Sequence, residues 1–205
     1  MKILFLLANI HSPYEGVVRP FINWAKELAR NNYEVYFVTL GCGTRLVDFI
    51  HKLASHGINH EKVRNISDIV DHVKKVKPDI VMTDDSIDRL RLITKVKNST
   101  GVRTAIYVQV LFGVHSIAEV FDLRYLSLGE KLKYSIAKSI PFALLKRTYR
   151  NMLIEHDVLI ANSRTTASIL NVFYGVEVQG VVYPPVDTNI FRPYNVKYED
   201  QVVLY

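Results

Sequence analysis

Short, continuously apolar runs alternate along the chain with longer amphipathic segments. The apolar runs are rich in Val, Ile, Tyr and Phe, a pattern typical of strands that are covered on both faces. They predict strands at Lys2–Leu7, Glu34–Leu40, Asn59–Val63, Asp79–Thr83, Arg103–Val110, Val158–Ala161 and Gly180–Tyr183. The amphipathic segments predict helices at Val17–Asn31, Arg45–Ser55, Ile66–Lys75, Ile87–Asn98, Leu126–Glu155 and Arg164–Phe173. Because strand and helix alternate, we expect right-handed crossovers and an α/β fold with a doubly wound, mainly parallel sheet.

Residues at the predicted boundaries support these elements. Asn31-Asn32 ends the first helix. Lys77-Pro78 stops a later one, because proline cannot continue a helix and its predecessor avoids helical angles. Ser163 stands where a cap is needed before the helix that starts at Arg164.

The composition is that of a globular protein. Of 205 residues, 49% are hydrophobic and 22% are charged, which suits one large domain or two small ones and excludes disorder as the main state. The single cysteine, Cys42, excludes a disulfide scaffold and favours a reducing cytoplasm. No stretch approaches the roughly 18 consecutive apolar residues of a membrane-spanning helix. The apolar start, Ile3–Ala8, lacks a signal-peptide cleavage site and is interpreted as a buried strand.

The net charge is concentrated in one segment. The whole chain carries 26 Lys+Arg against 20 Asp+Glu, a net charge of +6. Between Arg124 and Arg150 seven basic residues stand against one acid, Glu130, so this window alone carries +6. The seven are Arg124, Lys131, Lys133, Lys138, Lys146, Arg147 and Arg150. These basic residues lack interleaved stacking aromatics on a sheet face, so nucleic-acid binding is disfavoured.

Apolar residues in the same window allow two interpretations. Leu132, Ile136, Ile140 and Leu144 give it the composition of an interfacial amphipathic helix, to which anionic lipid would add about 1 kcal/mol per basic residue near the surface. The membrane-facing residues would then be Lys131, Lys138, Lys146, Arg147 and Arg150. The alternative, which we favour slightly, is that the apolar stripe is core and the charges form a solvated face.

Ligands of open α/β sheets lie outside the carboxyl ends of the strands, so the loops there are the first candidates. After the first strand, the loop Asn9–Gly16 leads into a helix, and a glycine at that position lets a phosphate approach backbone N–H groups. A simple turn glycine is an equal alternative on spacing alone. Gly41-Cys42-Gly43 follows the second strand and lacks the third glycine of a dinucleotide fingerprint, so it is interpreted as a strand-to-helix turn.

Two further patterns suggest metal chemistry and are given a structural interpretation instead. Asp84–Asp88 spells D-D-x-x-D, a metal–diphosphate motif of long helices, but here it follows an apolar strand, where Asp and Ser are good helix caps. His51, His56 and His60, with His72 beyond, do not share one helix face and lack a completing cysteine or carboxylate set, so we expect solvated surface histidines and no metal. Neither a G-x-S-x-G elbow nor a Walker loop occurs, and nothing supports covalent catalysis.

Four segments near the end of the chain carry a family resemblance. They are Leu159–Thr166 with its Ala-Asn-Ser core, Phe173-Tyr174-Gly175, Val182–Asp187 with Pro-Pro-Val-Asp, and Phe191-Arg192-Pro193. In order and spacing they resemble the pattern "ANS-x-x-(T/A) … YG … V-x-x-PPVD-x-x-x-F-x-P" of the retaining glycosyltransferases of family 4, the "group 1" GT-B enzymes. The first strand, glycine loop and first helix also fit, so the resemblance covers essentially the whole chain.

This resemblance implies a GT-B fold, in which two Rossmann-like domains face each other across a cleft. Residues 1–192 are expected to be the N-terminal, acceptor-side domain. Residues 193–205 are expected to be the interdomain linker and the first strand of a missing C-terminal, donor-binding domain, since the chain stops within a β-like run at Gln201–Tyr205.

The implied chemistry is transfer of a sugar from a nucleotide-sugar to an acceptor hydroxyl with retained anomeric configuration. The family suggests a hexosyltransferase-like enzyme that uses a UDP-, GDP- or ADP-sugar, needs no metal, and acts on a sugar or lipid-linked acceptor. We expect a cytoplasmic protein with peripheral contact at the inner membrane face, and an isolated fragment that is inactive and holds no cofactor. The alternatives are a non-catalytic module that binds a glycan or lipid head group, and a GT-B epimerase.

The resemblance also implies site residues. Gly16, with Glu15 beside it, would lie near the donor phosphates, although the family often has a glycine pair there. Gln109 or His115 would lie near the transferred sugar, since Gln109 stands where the family often has a histidine. Ser163-Arg164 would lie at the cleft edge, with a helix cap as the alternative role of Ser163.

Overall fold

The computed structural model describes residues 1–109 and 142–186 together with Thr188. The strands in this part are β1 (Lys2–Ala8), β2 (Glu34–Leu40), β3 (Ile58–Val63), β4 (Ile80–Asp84), β5 (Thr104–Val108), β6 (Val158–Ala161) and β7 (Gly180–Val181). The helices are α1 (Arg19–Arg30), α2 (Thr44–Lys52), α3 (Ile66–Val76), α4 (Ile87–Thr100), α5 (Phe142–Ile154) and α6 (Arg164–Ile169). A 3₁₀ turn at Leu53–His56 follows α2, and a π-helical turn at Leu170–Tyr174 follows α6.

The strands form one sheet in the order β3-β2-β1-β4-β5-β6-β7, and every pairing is parallel. The chain runs outwards from β1 to β3 and then returns to β4 on the other side of β1. Ile3 pairs with Ile80 and Phe5 with Met82 at this junction. The predicted doubly wound, parallel α/β sheet is therefore confirmed, and its topological switch point lies between β1 and β4.

Helices cover both faces of the sheet. On the face of α1 and α2, the ring of Phe5 lies 5.5 Å from that of Phe21 and 5.3 Å from that of Phe37, between centroids. On the opposite face Leu4 and Leu6 are buried in the cluster to which α3, α4 and α5 contribute. Neighbouring residues of β1 are thus buried on opposite sides, which explains why the strand reads as continuously apolar. Each such side chain contributes about 1.5–3 kcal/mol by burial.

The predicted strands agree closely with these bounds. Glu34–Leu40 and Val158–Ala161 match residue for residue. The predicted strand Asp79–Thr83 starts one residue later, at Ile80, and the Asp79 carboxylate instead accepts the Lys2 backbone N–H at 2.6 Å. The predicted strand Gly180–Tyr183 ends at Val181, shortly before two prolines that carry no N–H for a ladder.

The predicted helices differ mainly at their ends. Val17–Asn31 begins at Arg19, because Val18 occupies the cap position and Pro20 lies in the first turn. The predicted helix Arg45–Ser55 tightens into a 3₁₀ turn after Lys52, and the predicted helix Arg164–Phe173 widens into a π turn after Ile169. The helices that start at Ile66 and Ile87 run slightly further than predicted, to Val76 and Thr100. Of the predicted Leu126–Glu155, α5 forms one part, and residues 126–141 lie outside the described residues.

Candidate functional site

Loops from four strands meet at the carboxyl edge of the sheet. They follow β1, β4, β5 and β6, and they flank the switch point between β1 and β4. Parallel strands place their carboxyl ends at one edge, and ligands of such sheets bind there. The candidate site is therefore built from these loops.

The loop after β1 is shaped by a carboxylate of its own. Oε1 of Glu15 accepts the backbone N–H of His11 at 2.8 Å and that of Ser12 at 2.9 Å. The Glu15 carbonyl accepts the N–H of Val18 at 3.1 Å, which leads the chain into α1. Glu15 is therefore bound within its own loop, with its side chain half-buried.

Gly16 lies at the open side of this loop. It is exposed, and a Cβ at this position would meet nothing within 4 Å among the described residues. Its backbone is not in the left-handed region, unlike that of Gly41, Gly57 or Gly101. Gly16 lies within the turn that the Val18 N–H closes on the Glu15 carbonyl, and neither its conformation nor a described neighbour requires glycine there.

The Gly41-Cys42-Gly43 segment is a strand-to-helix turn, as predicted. Gly41 has a φ of +64°, and a Cβ on Gly43 would lie 2.7 Å from the carbonyl oxygen of His11. The Gly43 N–H donates to the Ile10 carbonyl at 2.8 Å. These glycines pack the second loop against the first. Burial raises the pKa of the Cys42 thiol, so the thiol stays neutral there.

Asp84 joins the two central strands across the switch point. Its carboxylate accepts the Ser86 N–H at 2.9 Å and pairs with Nε of Arg89 at 2.5 Å. Arg89 in turn donates to the carbonyl of Ala8, at the end of β1, at 2.5 Å. Of the Asp and Ser residues expected to cap α4, Ser86 holds the cap position, although its side chain makes no cap hydrogen bond. The Asp84 carboxylate binds the Ser86 N–H, and the Asp85 carboxylate binds the Gln109 N–H instead.

Asp85 is almost fully buried and binds two neighbouring elements. Its Oδ1 accepts the backbone N–H of Gln109, the residue after β5, at 2.9 Å. Its Oδ2 accepts the hydroxyl of Tyr149 on α5 at 2.7 Å, and the Tyr149 ring lies 5.3 Å from that of Tyr174. Asp88, the last residue of the D-D-x-x-D pattern, is exposed.

Gln109 connects three loops of the site. Nε2 of its side chain donates to the carbonyl of Val17 at 2.9 Å, directly beside Gly16. Its own carbonyl accepts Nδ2 of Asn162, after β6, at 3.3 Å. The structure thus brings Gln109 and the glycine loop together. His115, the other candidate for the same role, lies outside the described residues.

Ser163 caps α6, as predicted. Its Oγ accepts the backbone N–H of Thr166 at 3.1 Å, and it donates to the Thr166 hydroxyl at 3.0 Å. The Thr166 hydroxyl donates to Oδ1 of Asn162 at 2.5 Å. Arg164 is exposed at the same edge.

A cleft of about 520 Å³ lies beside the glycine loop. Its lining residues are Gly16, Arg19, Pro20, Pro184, Pro185 and Val186. The segment after β7 reaches this cleft across the sheet, where the Tyr107 hydroxyl donates to the Val182 carbonyl at 2.9 Å. Burial raises the pKa of Tyr107 to about 12, so this hydroxyl stays protonated as a donor. The cleft therefore joins the glycine loop to the Pro-Pro-Val segment.

The basic segment is described only in α5. Arg147 is exposed, and Lys146 and Arg150 are half-buried. Leu144 and Ile154 are 56% and 50% exposed. Lys131 and Lys138 lie outside the described residues.

The prediction of solvated histidines fits His51 and His56, which are exposed, but it is wrong for His60 and His72, which are half-buried. Nε2 of His60 lies 2.9 Å from the Thr39 hydroxyl, and its ring packs at 4.4 Å on that of His51. Burial, assisted by His51, lowers the pKa of His60 to about 4. Within residues 1–109 and 142–186, no three His, Cys, Asp or Glu side chains form a group suited to a metal ion.

No helix in the described part of the chain combines the length and apolar character needed to cross a membrane.

Comparison with known proteins finds one family. The sequence model of Glycosyltransferase Family 4 matches residues 14–190. This range includes the glycine loop, Gln109 and the Pro-Pro-Val segment. No curated protein sequence matches the chain.

Solved structures with a similar fold include Arabidopsis thaliana UGT89C1 complexed with UDP. Its TM-score is 0.57 at 10% identity, over 91% of this chain and 50% of that chain. The same protein complexed with quercetin gives a TM-score of 0.53 at 9% identity, over 88% and 49%. The lipopolysaccharide outer core galactosyltransferase WaaB, in its apo form, gives 0.51 at 15% identity, over 91% and 46%. The shared feature is the fold, one Rossmann-like half of a GT-B architecture. The chain spans about half the length of these structures.

Proposed function

The chain belongs to glycosyltransferase family 4, and we propose that it is the N-terminal, acceptor-side half of a retaining glycosyltransferase. The observation that carries the proposal is the family match across residues 14–190, which includes a glycine loop that stands open at the switch point. The reaction is transfer of a hexosyl group from a nucleotide-sugar to an acceptor hydroxyl with retained anomeric configuration.

The domain boundaries belong to this proposal. Residues 1–192 form the acceptor-side domain, and residues 193–205 lead into a C-terminal domain that binds the donor. Coverage of only 46–50% of the GT-B structures supports a second half. Because catalysis needs groups from both halves, the 205-residue chain alone is expected to be inactive.

The glycine loop supplies the contact to the donor phosphates. The open space at Gly16 lets a diphosphate approach the backbone beside the start of α1, whose dipole favours an anion. Arg19, exposed in the same cleft, adds a positive charge toward the leaving diphosphate. These groups take the role that a metal would otherwise fill, so the proposal includes no metal.

Gln109 provides the polar group next to the transferred sugar. A carboxamide does not titrate, so Gln109 acts by hydrogen bonding and not as a general base. Its bond to the Val17 carbonyl holds it next to the glycine loop. His115 is the alternative for this role.

The donor and acceptor are proposed only as classes. The UDP complex of the similar plant structure makes a UDP-sugar the first donor to test, before GDP- and ADP-sugars. The quercetin complex and the lipopolysaccharide galactosyltransferase point to acceptors that carry large apolar parts. A sugar or lipid-linked acceptor in the cytoplasm fits this class.

A peripheral membrane contact is the second part of the proposal. Helix α5 exposes Leu144 and Ile154 beside the cationic Arg147. Exposed apolar side chains next to a basic one are typical of a helix that lies on an anionic lipid surface. The contact would place the acceptor side of the site at the inner membrane face.

The test uses the full-length gene product with radiolabelled UDP-, GDP- and ADP-hexoses and a panel of glycan and lipid-linked acceptors. We expect a labelled product that depends on the acceptor, with the donor's anomeric configuration by NMR. Binding without turnover would favour the glycan-binding or lipid-binding module instead. Conversion of the donor sugar to its epimer without transfer would favour the epimerase.

A further inference from the structure

The buried carboxylate of Asp85 is not used by the reaction proposed above. Asp85 is 1% exposed and follows β4 at the carboxyl edge of the sheet. Burial of a carboxylate is costly unless hydrogen bonds replace its water shell. Here the Gln109 N–H and the Tyr149 hydroxyl donate to its two oxygens at 2.9 and 2.7 Å.

Asp84, the preceding residue, makes different contacts. Successive residues of a strand point to opposite sides. Asp84 therefore joins β4 to β1 and α4 through Arg89 and Ser86, whereas Asp85 joins β4 to β5 and α5. The Asp84 contacts account for the start of α4 and for the switch point.

The contacts of Asp85 extend to the glycine loop. Asp85 fixes the backbone of Gln109, and the side chain of Gln109 donates to the Val17 carbonyl at 2.9 Å. Val17 adjoins Gly16. One continuous hydrogen-bonded path thus runs from Tyr149 on α5 through the end of β4 and the end of β5 to the loop that lines the cleft.

We propose that Asp85 is a positioning residue for sugar transfer, which acts by holding the main chain of Gln109 and through it the glycine loop. The inference rests on the proposed function, because it assumes that the loop at Gly16 meets the donor. A side chain can hold a neighbouring loop in place only if its own backbone is fixed, and small misplacements of such groups lower rates strongly.

A matched control lies at the opposite edge of the sheet. The carboxylate of Asp157 accepts the backbone N–H of Thr104, the first residue of β5, at 2.8 Å. It also pairs with Lys97 at 3.0 Å. Asp85 and Asp157 therefore each accept a backbone N–H at one end of β5. Asp157 is exposed, and only Asp85 lies at the candidate site.

The variants Asp85→Asn and Asp157→Asn keep the side-chain shape but replace one acceptor oxygen by a donor. Tyr149→Phe is a second variant, which removes the hydrogen bond from the Tyr149 hydroxyl to Asp85 and keeps the ring. Backbone hydrogen exchange, measured without substrate, reports on Gln109 and on Val18 in the glycine loop. Steady-state kinetics of the full-length protein report on transfer.

We expect Asp85→Asn to accelerate exchange at Gln109 and Val18 at least tenfold and to lower kcat at least tenfold, with the donor KM changed less than threefold. Tyr149→Phe should also accelerate exchange at Gln109 and Val18 and lower kcat, each by a smaller factor. Asp157→Asn should accelerate exchange at Thr104 and leave kcat within twofold of the wild type. These results would support the positioning role.

The inference is overturned if Asp85→Asn leaves loop exchange unchanged, or if its kcat equals that of Asp157→Asn. Should Asp85→Asn fail to fold, the same criteria apply to Tyr149→Phe. A wild-type protein that transfers no sugar contradicts the proposed function instead. That failure is separate, because exchange at Val18 still decides whether Asp85 holds the loop.

Discussion

At the scale of single residues, Gly16 carries the sharpest expectation. No described neighbour lies within 4 Å of a Cβ placed there, and its backbone suits any residue. We predict that Gly16→Val changes the free energy of unfolding by no more than about 0.5 kcal/mol. It should lower kcat/KM at least tenfold, because its side chain fills the space where the donor phosphates approach. Thermal unfolding and donor kinetics of the full-length protein measure the two effects.

Gly180 is the matched control for that substitution. It is also free of contacts within 4 Å and of left-handed backbone, but it begins β7 instead of lining the cleft. Gly180→Val should leave transfer within twofold of the wild type. Equal activity losses in the two variants, or none in Gly16→Val, would show that the glycine loop does not meet the donor.

His156 makes stability depend on pH. It is 8% exposed, and its Nδ1 lies 3.1 Å from the Thr104 hydroxyl. Burial, assisted by Lys97 and opposed by Asp157, lowers the pKa of His156 to about 4. Because the folded state resists a proton that the unfolded state accepts, the free energy of unfolding falls as pH drops from about 6.5 to about 4. The loss for one such group is up to about 3 kcal/mol.

The measurement is urea unfolding at pH 7 and pH 4.5 for the wild type, His156→Gln and His56→Gln. His56→Gln should keep the wild-type pH dependence, since His56 is exposed. In His156→Gln, the free energy of unfolding should fall less between pH 7 and pH 4.5 than in the wild type. His60, half-buried with a pKa of about 4, contributes in the same direction. If the free energy of unfolding of His156→Gln depends on pH as strongly as that of the wild type, His156 is not the cause of this dependence.

From the sequence, site residues could be predicted only where they follow a predicted strand or match the family pattern. Gly16 was a candidate because it follows an apolar run, whereas Glu15 and Gln109 became candidates through the family resemblance. Asp85 could not be assigned, because its partner Tyr149 is 64 positions away in sequence and its orientation depends on how α5 packs. His60 was missed for a similar reason: its contact with Thr39 exists only between paired strands.

At the scale of secondary-structure elements, helix caps are local sequence features that stabilise the fold. The Ser163 hydroxyl accepts the Thr166 N–H at the start of α6. We predict that Ser163→Ala lowers the free energy of unfolding by about 1 kcal/mol. Ser67→Ala, in the exposed first turn of α3, should change it by no more than about 0.5 kcal/mol. Urea unfolding measures both, and equal effects would argue against the cap.

The elements themselves were predictable from periodicity, whereas several of their ends were not. Val158–Ala161 was correct at both ends because Asp157 and Asn162 interrupt the apolar run. The end of α2 was not, because the chain there tightens into a 3₁₀ turn before the left-handed Gly57. The π turn after Ile169 likewise has no sequence period of its own.

At the scale of the whole molecule, the parallel sheet could be predicted from the continuously apolar strands. The order in which the strands pair became known only from the structure.

The proposed membrane contact also concerns the whole molecule. We predict that the full-length protein binds vesicles of phosphatidylcholine with phosphatidylglycerol in a salt-sensitive way. Arg147→Glu on α5 should weaken this binding at least about fivefold, since one basic residue near the surface contributes about 1 kcal/mol.

Lys74→Glu is the control, because it makes the same charge change at an exposed position on α3. It should bind vesicles almost as well as the wild type. Flotation at low and high salt gives the comparison. An equal loss in both variants would indicate attraction by overall charge, and no binding at all would remove the membrane contact from the proposal.

The central claim is that this chain is half of a sugar transferase. The most direct measurement is acceptor-dependent transfer from radiolabelled nucleotide-sugars by the full-length protein, beside the 205-residue chain alone. The account predicts transfer with retained anomeric configuration by the full-length protein and none by the chain alone. A full-length protein that binds donor and acceptor yet transfers no sugar would contradict it.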